Sequence, residues 1–220
     1  MQRERYINHQ FIYINCKFKK IIGEIQKMKE ITENEMKFIL TVFRNPKEEY
    51  NARNISKVIG ISHMGALKIA VRLEKEGIIK SRLVGKARIY SLNLEDGYVN
   101  KYIEFLLQRE AEKAPLYSRV WIKEIRKIKD AQASMLFGSV LTKGKEANDI
   151  DVLIIVNEKN LEKVQKEIEE VNLVNNKRLH PVFQTIDDIK SNIKKGDKVI
   201  LNALNGIVAK GEEVIIGAIK

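Results

Sequence analysis

Between positions 32 and 44 apolar residues recur at helical spacing. Met36, Ile39, Leu40 and Phe43 fall on one face, which predicts a helix over Thr32–Arg44. A turn at Asn45-Pro46 ends it. A second short helix is expected over Asn51–Ile59, followed by Gly60-Ile61 as a tight turn. Ser62 then fits an N-cap for a third helix reaching Glu76, with Ala66, Ile69, Ala70 and Leu73 facing the core and Gly77 suited to a left-handed C-terminal position. Beyond it the pattern changes from helical to alternating. Ile78–Val84 and Ala87–Asn93 read as two strands around Gly85-Lys86, a hairpin with a basic tip.

Helical spacing returns at Val99, Tyr102, Ile103 and Leu106, predicting a helix over Gly97–Glu112 that is either buried against its own neighbours or a dimer seam. Pro115 suits the first turn of the next helix, expected from Leu116 to about Lys129 with Val120, Ile122, Ile125 and Ile128 along it. Strands follow at Ala133–Phe137 and within Asn148–Val156, then a helix over Asn160–Val171 and a strand over Arg178–Thr185. Asp187 and Asp188 open a further helix, where acidic residues suit the positive end of the dipole. The fold class is therefore mixed α+β. It comprises an extension over 1–29, a helical domain with a hairpin over 30–96, a connector helix over 97–114 and an α/β domain over 115–220.

Charge sharpens this division. Of the net +11, residues 53–88 contribute +7, from nine Lys/Arg against two Glu, and residues 1–29 contribute +5, leaving −1 for the rest. Positive charge confined to two segments argues for a defined polyanion-binding surface. Residues 1–29 have two readings: a basic arm, or a stretch preceding a native start at Met28. No apolar run reaches the length of a membrane helix and no secretory signal is recognisable, so a cytoplasmic location is expected. Cys16 is the only cysteine, which excludes an intrachain disulfide and argues against a thiolate zinc site.

Helix, helix, turn, helix and basic hairpin over residues 31–93 resembles a winged helix-turn-helix. In such folds the third helix enters the major groove and the wing tracks the backbone or minor groove. The resemblance implies contact with double-stranded DNA through His63, Met64, Lys68 and Arg72 on the helix and Arg82, Lys86 and Arg88 on the wing. Leu67 and Val71 lie near the exposed face, where polar residues are usual; they favour packing against a partner. The alternative reading of the basic residues is a solvated face.

The candidate chemistry lies further on. Gly138-Ser139 follows a strand directly, and a glycine there lets the backbone approach a ligand. Amides and a hydroxyl at a helix N-terminus suit a phosphate. Asp149 and Asp151 are two apart at the mouth of the next strand, on one face and about 6.5–7 Å apart along the chain, a spacing suited to a divalent cation.

Phe-Gly-Ser, nine residues, then Asp-Ile-Asp and Val-Leu-Ile-Ile-Val resembles the nucleotidyltransferases of the DNA polymerase beta superfamily, in particular the minimal prokaryotic members, over about residues 116–215. The resemblance implies transfer of a nucleoside monophosphate from a triphosphate, usually ATP, with Mg²⁺. Gly138 and Ser139 would hold the β/γ-phosphates, Asp149 and Asp151 the metal, and Lys143 and Lys145 would add charge, unless these loop lysines are simply solvated. The family's third carboxylate is missing: the next strand reads Arg178-Leu179-His180-Pro181-Val182-Phe183-Gln184. His180 falls near that position as a candidate base or ligand, or as a histidine satisfied by a hydrogen bond.

Three functions fit this architecture. One is a nucleotidyltransferase acting on an unknown, perhaps protein, acceptor. Another is a transcription regulator whose transferase fold senses nucleotide or is inactive. In the third, the winged helix binds protein. Paired half-sites would make the protein a homodimer.

Overall fold

The computed structural model describes residues 31–220; the basic extension 1–29 and the alternative start at Met28 lie outside the described residues. Helix α1 (Glu33–Arg44) buries Phe38, Ile39, Leu40, Val42 and Phe43, a wider face than the predicted stripe. Met36, expected on that face, is only half-buried. Asn51 caps α2 (Ala52–Ile59) in a reciprocal box with Asn54, and the Ser62 hydroxyl caps α3 (His63–Lys75) by accepting from the Gly65 amide. Ala66, Ala70 and Leu73 of α3 are buried and Ile69 is half-buried.

Strands β1 (Ile79–Val84) and β2 (Ala87–Leu92) pair antiparallel with Val84 opposite Ala87. Of the two turn residues only Gly85 has positive φ, 59°, the type II′ arrangement that matches the twist of a hairpin. Tyr50 bridges to Tyr90, whose ring lies 5.9 Å from that of Phe38, so the hairpin is stitched to the helices. Three helices and this hairpin form a winged-helix layout.

Helix α4 (Gly97–Lys113) buries Val99, Ile103, Leu106, Leu107 and Ala111, so its stripe is not left for a second copy. It packs against α10 (Glu212–Ile219) and strand β6 (Ile207–Lys210). Burial is the main reason that the Tyr102 hydroxyl is pushed up to about 12, with Glu76 of the helical domain adding to it.

Helix α5 (Leu116–Ile125) stops a turn short of the expected Lys129. The amides of Lys127 and Ile128 bond back only three residues, and those of Lys129 and Asp130 donate to the Glu167 carboxylate at 3.0 and 3.1 Å. The chain thereby turns into β3 (Ala133–Phe137), every residue of which is buried. A single turn, α6 (Val140–Lys143), leads towards β4 (Ile150–Ile155); α7 (Leu161–Val174) crosses over to β5 (Leu179–Gln184). Helices α8 (Ile186–Lys195) and α9 (Lys198–Leu204) precede β6; Asp187 and Asp188 lie in the first turn of α8, where Thr185 and Asp188 also form a capping box.

The sheet order is β5-β4-β3-β6, with β4 parallel to β5 and β3 antiparallel to both its neighbours. Trp121, Ile122 and Ile125 of α5 and Val164, Ile168 and Val171 of α7 join Leu136, Val152 and Ile154 in its core.

Polar ties link the helical domain, α4 and the helices around the sheet. Arg44 bonds Glu110 of α4 in a two-pronged pair, with Nη1 to Oε1 at 2.8 Å. Lys101 pairs with Glu213, and Lys47 donates to the Lys194 carbonyl. Residues 34–220 accordingly pack as one compact unit. No helix among the described residues is long and apolar enough to cross a membrane.

Candidate functional site

Strand register builds the candidate centre. In the parallel pair β4/β5, Asp151 stands directly opposite His180, and in the antiparallel pair β3/β4 it stands opposite Phe137, the residue before Gly138. Asp149, just before β4, completes a group in which one ligand atom from each of Asp149, Asp151 and His180 lies within 4.8 Å of the others. His180 Nδ1 is 3.4 Å from Asp149 Oδ2. His180 therefore points to the carboxylates and not to the core: its side chain is 64% exposed and that of Asp149 40%.

The Gly-Ser turn serves this group in a way the sequence did not suggest. Gly138 has φ 78°, and a Cβ there would sit 2.9 Å from Asp151 Cγ and closer still to Oδ2. The glycine is needed because the Asp151 carboxylate occupies the space a side chain would take. The Ser139 amide donates to that carboxylate. Burial, and then the neighbouring Asp149 charge, push the Asp151 carboxyl above its ordinary value; His180 and the Ser139 amide pull it back. Ser139 was expected to offer its amide to a phosphate; that amide also favours the charged form of the Asp151 carboxylate. The helix after it is a single turn, so little dipole stands behind the turn. Lys143 and Lys145 are exposed on the loop between β3 and β4, and the Lys145 carbonyl accepts from Lys177.

Two carboxylates and an imidazole at these distances are a donor set that fits one divalent cation. Among the described residues no third acid joins the group, which matches the missing family carboxylate.

No protein-family model matches the chain, and no curated protein matches it. Among solved structures it is similar to a predicted DNA-binding transcriptional regulator from E. coli, at 16% identity over 43% of this chain and 94% of that one, with TM-score 0.31. MepR, a transcription regulator of the Staphylococcus aureus multidrug efflux pump MepA, matches at 12% identity over 53% and 90%, TM-score 0.33. ZitR of Lactococcus lactis, a zinc-responsive MarR family member, matches at 16% over 56% and 94%, TM-score 0.27. At such scores the winged-helix assignment rests on the chain's own topology.

On that winged helix the expected contact residues divide into two groups. His63, Met64, Lys68 and Lys86 are exposed, and His63, Lys68 and Lys86 form no ion pair with the described residues. Arg72 is instead held inside the fold by Glu76, at 2.7 Å, and by the buried Glu35, both of which raise its pKa. Arg82 pairs with Glu49, and Arg88 with Glu74 at 3.0 Å. Local carboxylates thus compete with phosphate for three of the expected arginines. Glu35 went unnoticed in the sequence because an acid in a first helical turn normally signals only the dipole. Val71 and Leu83 are exposed, at 56% and 73%, giving the helix and wing an apolar component beside the basic one.

Proposed function

We propose that this chain is a DNA-binding regulator whose C-terminal domain is a cation- and nucleotide-responsive descendant of a nucleotidyltransferase. Lys68 on α3 and Lys86 at the tip of the β1–β2 wing supply the duplex contacts, with His63 and Met64 at the groove end of the helix. Arg82 and Arg88 join them only by exchanging their glutamates for phosphate. Asp149, Asp151 and His180 hold the cation, and Lys143 and Lys145 stand on the loop that a nucleoside triphosphate such as ATP would reach. When bound, Mg²⁺ neutralises phosphate charge at that place.

The observation carrying this reading is that the winged-helix layout, with unpaired Lys68 and Lys86, and the Asp-Asp-His group belong to one packed unit. On this reading a ligand at the second biases the first through a difference in its affinity for two states of that unit. The DNA arm is tested by fluorescence anisotropy with labelled duplex over a salt series. Binding that weakens steeply with salt and is lost in Lys68→Ala/Lys86→Ala supports it, whereas no binding to any duplex at low salt rejects it.

An active transferase is the second reading. It is favoured by His180 standing opposite Asp151, where an acceptor's proton would need a base. Incubation with α-labelled ATP and Mg²⁺, alone and with cell extract, separates the two. Label moved to a protein or small molecule, and lost in Asp149→Ala/Asp151→Ala, establishes the enzyme. Cation-dependent ATP binding without transfer leaves the regulator. A homodimer reading two half-sites is the expected assembly on DNA.

A further inference from the structure

The donor set says more about the cation than that one binds. We infer that the Asp149–Asp151–His180 group selects a first-row transition cation over Mg²⁺, so that the domain responds to metal identity as well as to nucleotide. This rests on the reading above that the group takes a divalent cation.

The argument starts from which atoms converge. Two are carboxylate oxygens and the third is a ring nitrogen of His180, all within 4.8 Å of one another, and His180 Nδ1 is 3.4 Å from Asp149 Oδ2. Two ligands on adjacent positions around a transition cation, each bound at about 2.0–2.2 Å, are roughly 3–3.5 Å apart. The observed pair thus needs little movement to share an ion. Register fixes this neighbourhood: Asp151 on the inner strand β4 and His180 on the edge strand β5 are cross-strand partners, and Asp151 is further held by the Ser139 amide against Gly138. His180 is the least buried of the three and free to turn its ring onto an ion.

The chemistry then discriminates. Mg²⁺ prefers oxygen ligands in strict octahedral geometry and gives up water reluctantly. Imidazole suits the borderline cations, whose affinity for a mixed nitrogen and oxygen site rises along the series from Mn²⁺ to Cu²⁺. Replacing a third carboxylate by His180 also leaves the group with two negative charges, which weakens the electrostatic hold on a hard ion more than the bond to a softer one. A chain selected purely for Mg²⁺ would gain from an acid at 180.

The test uses the full chain and two probes, Mn²⁺ followed by electron paramagnetic resonance and Mg²⁺ competing against it, with thermal unfolding as a second readout. Wild type is expected to bind Mn²⁺ at least tenfold more tightly than Mg²⁺. His180→Ala should narrow that ratio severalfold, and His180→Asp should narrow it by strengthening Mg²⁺. Because His180 is exposed, both variants should keep the wild-type melting temperature in chelator. A ratio unchanged in His180→Ala overturns the inference while leaving a cation site in place. Wild type and Asp149→Asn/Asp151→Asn equally indifferent to both ions would overturn the cation reading itself.

Discussion

Gly138→Ala isolates the packing of Asp151 against the Gly-Ser turn. Alanine at φ 78° costs roughly 1–2 kcal/mol from the clash of Cβ with the backbone. The new Cβ also lies 2.9 Å from Asp151 Cγ, so the carboxylate must rotate away and give up the Ser139 amide. A hydrogen bond to a charged group is worth about 1.5–3 kcal/mol when buried, and less here because Asp151 is only partly so. Together these predict a loss of about 2–4 kcal/mol, or a melting temperature lower by roughly 5–15 °C for a chain of this size. Thermal unfolding followed by circular dichroism in chelator reads the stability term, and a Mn²⁺ titration of the same sample reads the displaced carboxylate. Gly217→Ala is the control: it sits in α10, where an added Cβ meets nothing within 4 Å, and it should be neutral or slightly stabilising. If Gly138→Ala matched wild type in both melting temperature and Mn²⁺ affinity, the account of Asp151 as a carboxylate held by the turn would be refuted.

Other substitutions separate structural from functional charge. Glu110→Gln leaves the buried Arg44 without its counter-ion and should cost about 2–4 kcal/mol in urea unfolding. A loss below about 0.5 kcal/mol would mean the pair is not formed. Lys68→Ala/Lys86→Ala should reduce the slope of log affinity for DNA against log salt by about 2, with stability unchanged. Arg72→Ala should instead lower the unfolding midpoint, because it removes a counter-ion from Glu35, which is only 5% exposed. Glu124 is held below its ordinary value of 4.5, first by Lys127 and then by Asn175. Its stabilisation is therefore present above pH 4.5 and lost as pH falls through the lower folded value, so Glu124→Gln should flatten the acid side of the stability profile in that window.

Local signals carried most of the secondary structure. Asn51, Ser62 and Thr185 cap the helices they precede, and the Gly85-Lys86 tip places the wing correctly, because these devices act within a few residues. The approach of His180 to Asp151 was partly within reach, because a helix-length segment between two strands suits a parallel crossover, whereas the register that sets the two residues opposite each other comes from the packed sheet. What stayed hidden depends on partners distant in the chain. Arg72 looked like a phosphate contact because Glu35 lies 37 residues away, and Arg44 looked like an ordinary helix end because Glu110 lies 66 away. The length of α5 depended on Glu167 accepting amides from a loop 37 and 38 residues before it.

The burial of α4 bears on modularity. Val99, Ile103, Leu106 and Leu107 are each 0% exposed, and they would be stripped of cover by cleavage on either side of the helix. Neither half can then be expressed as a well-behaved fragment, and the intact unit should melt in a single transition. A gene fusion that merely tethered two independent domains would have left a spacer open to insertion and exchange. Here the joint itself has been absorbed into the hydrophobic interior, so that the winged-helix part and the sheet part can be inherited only together.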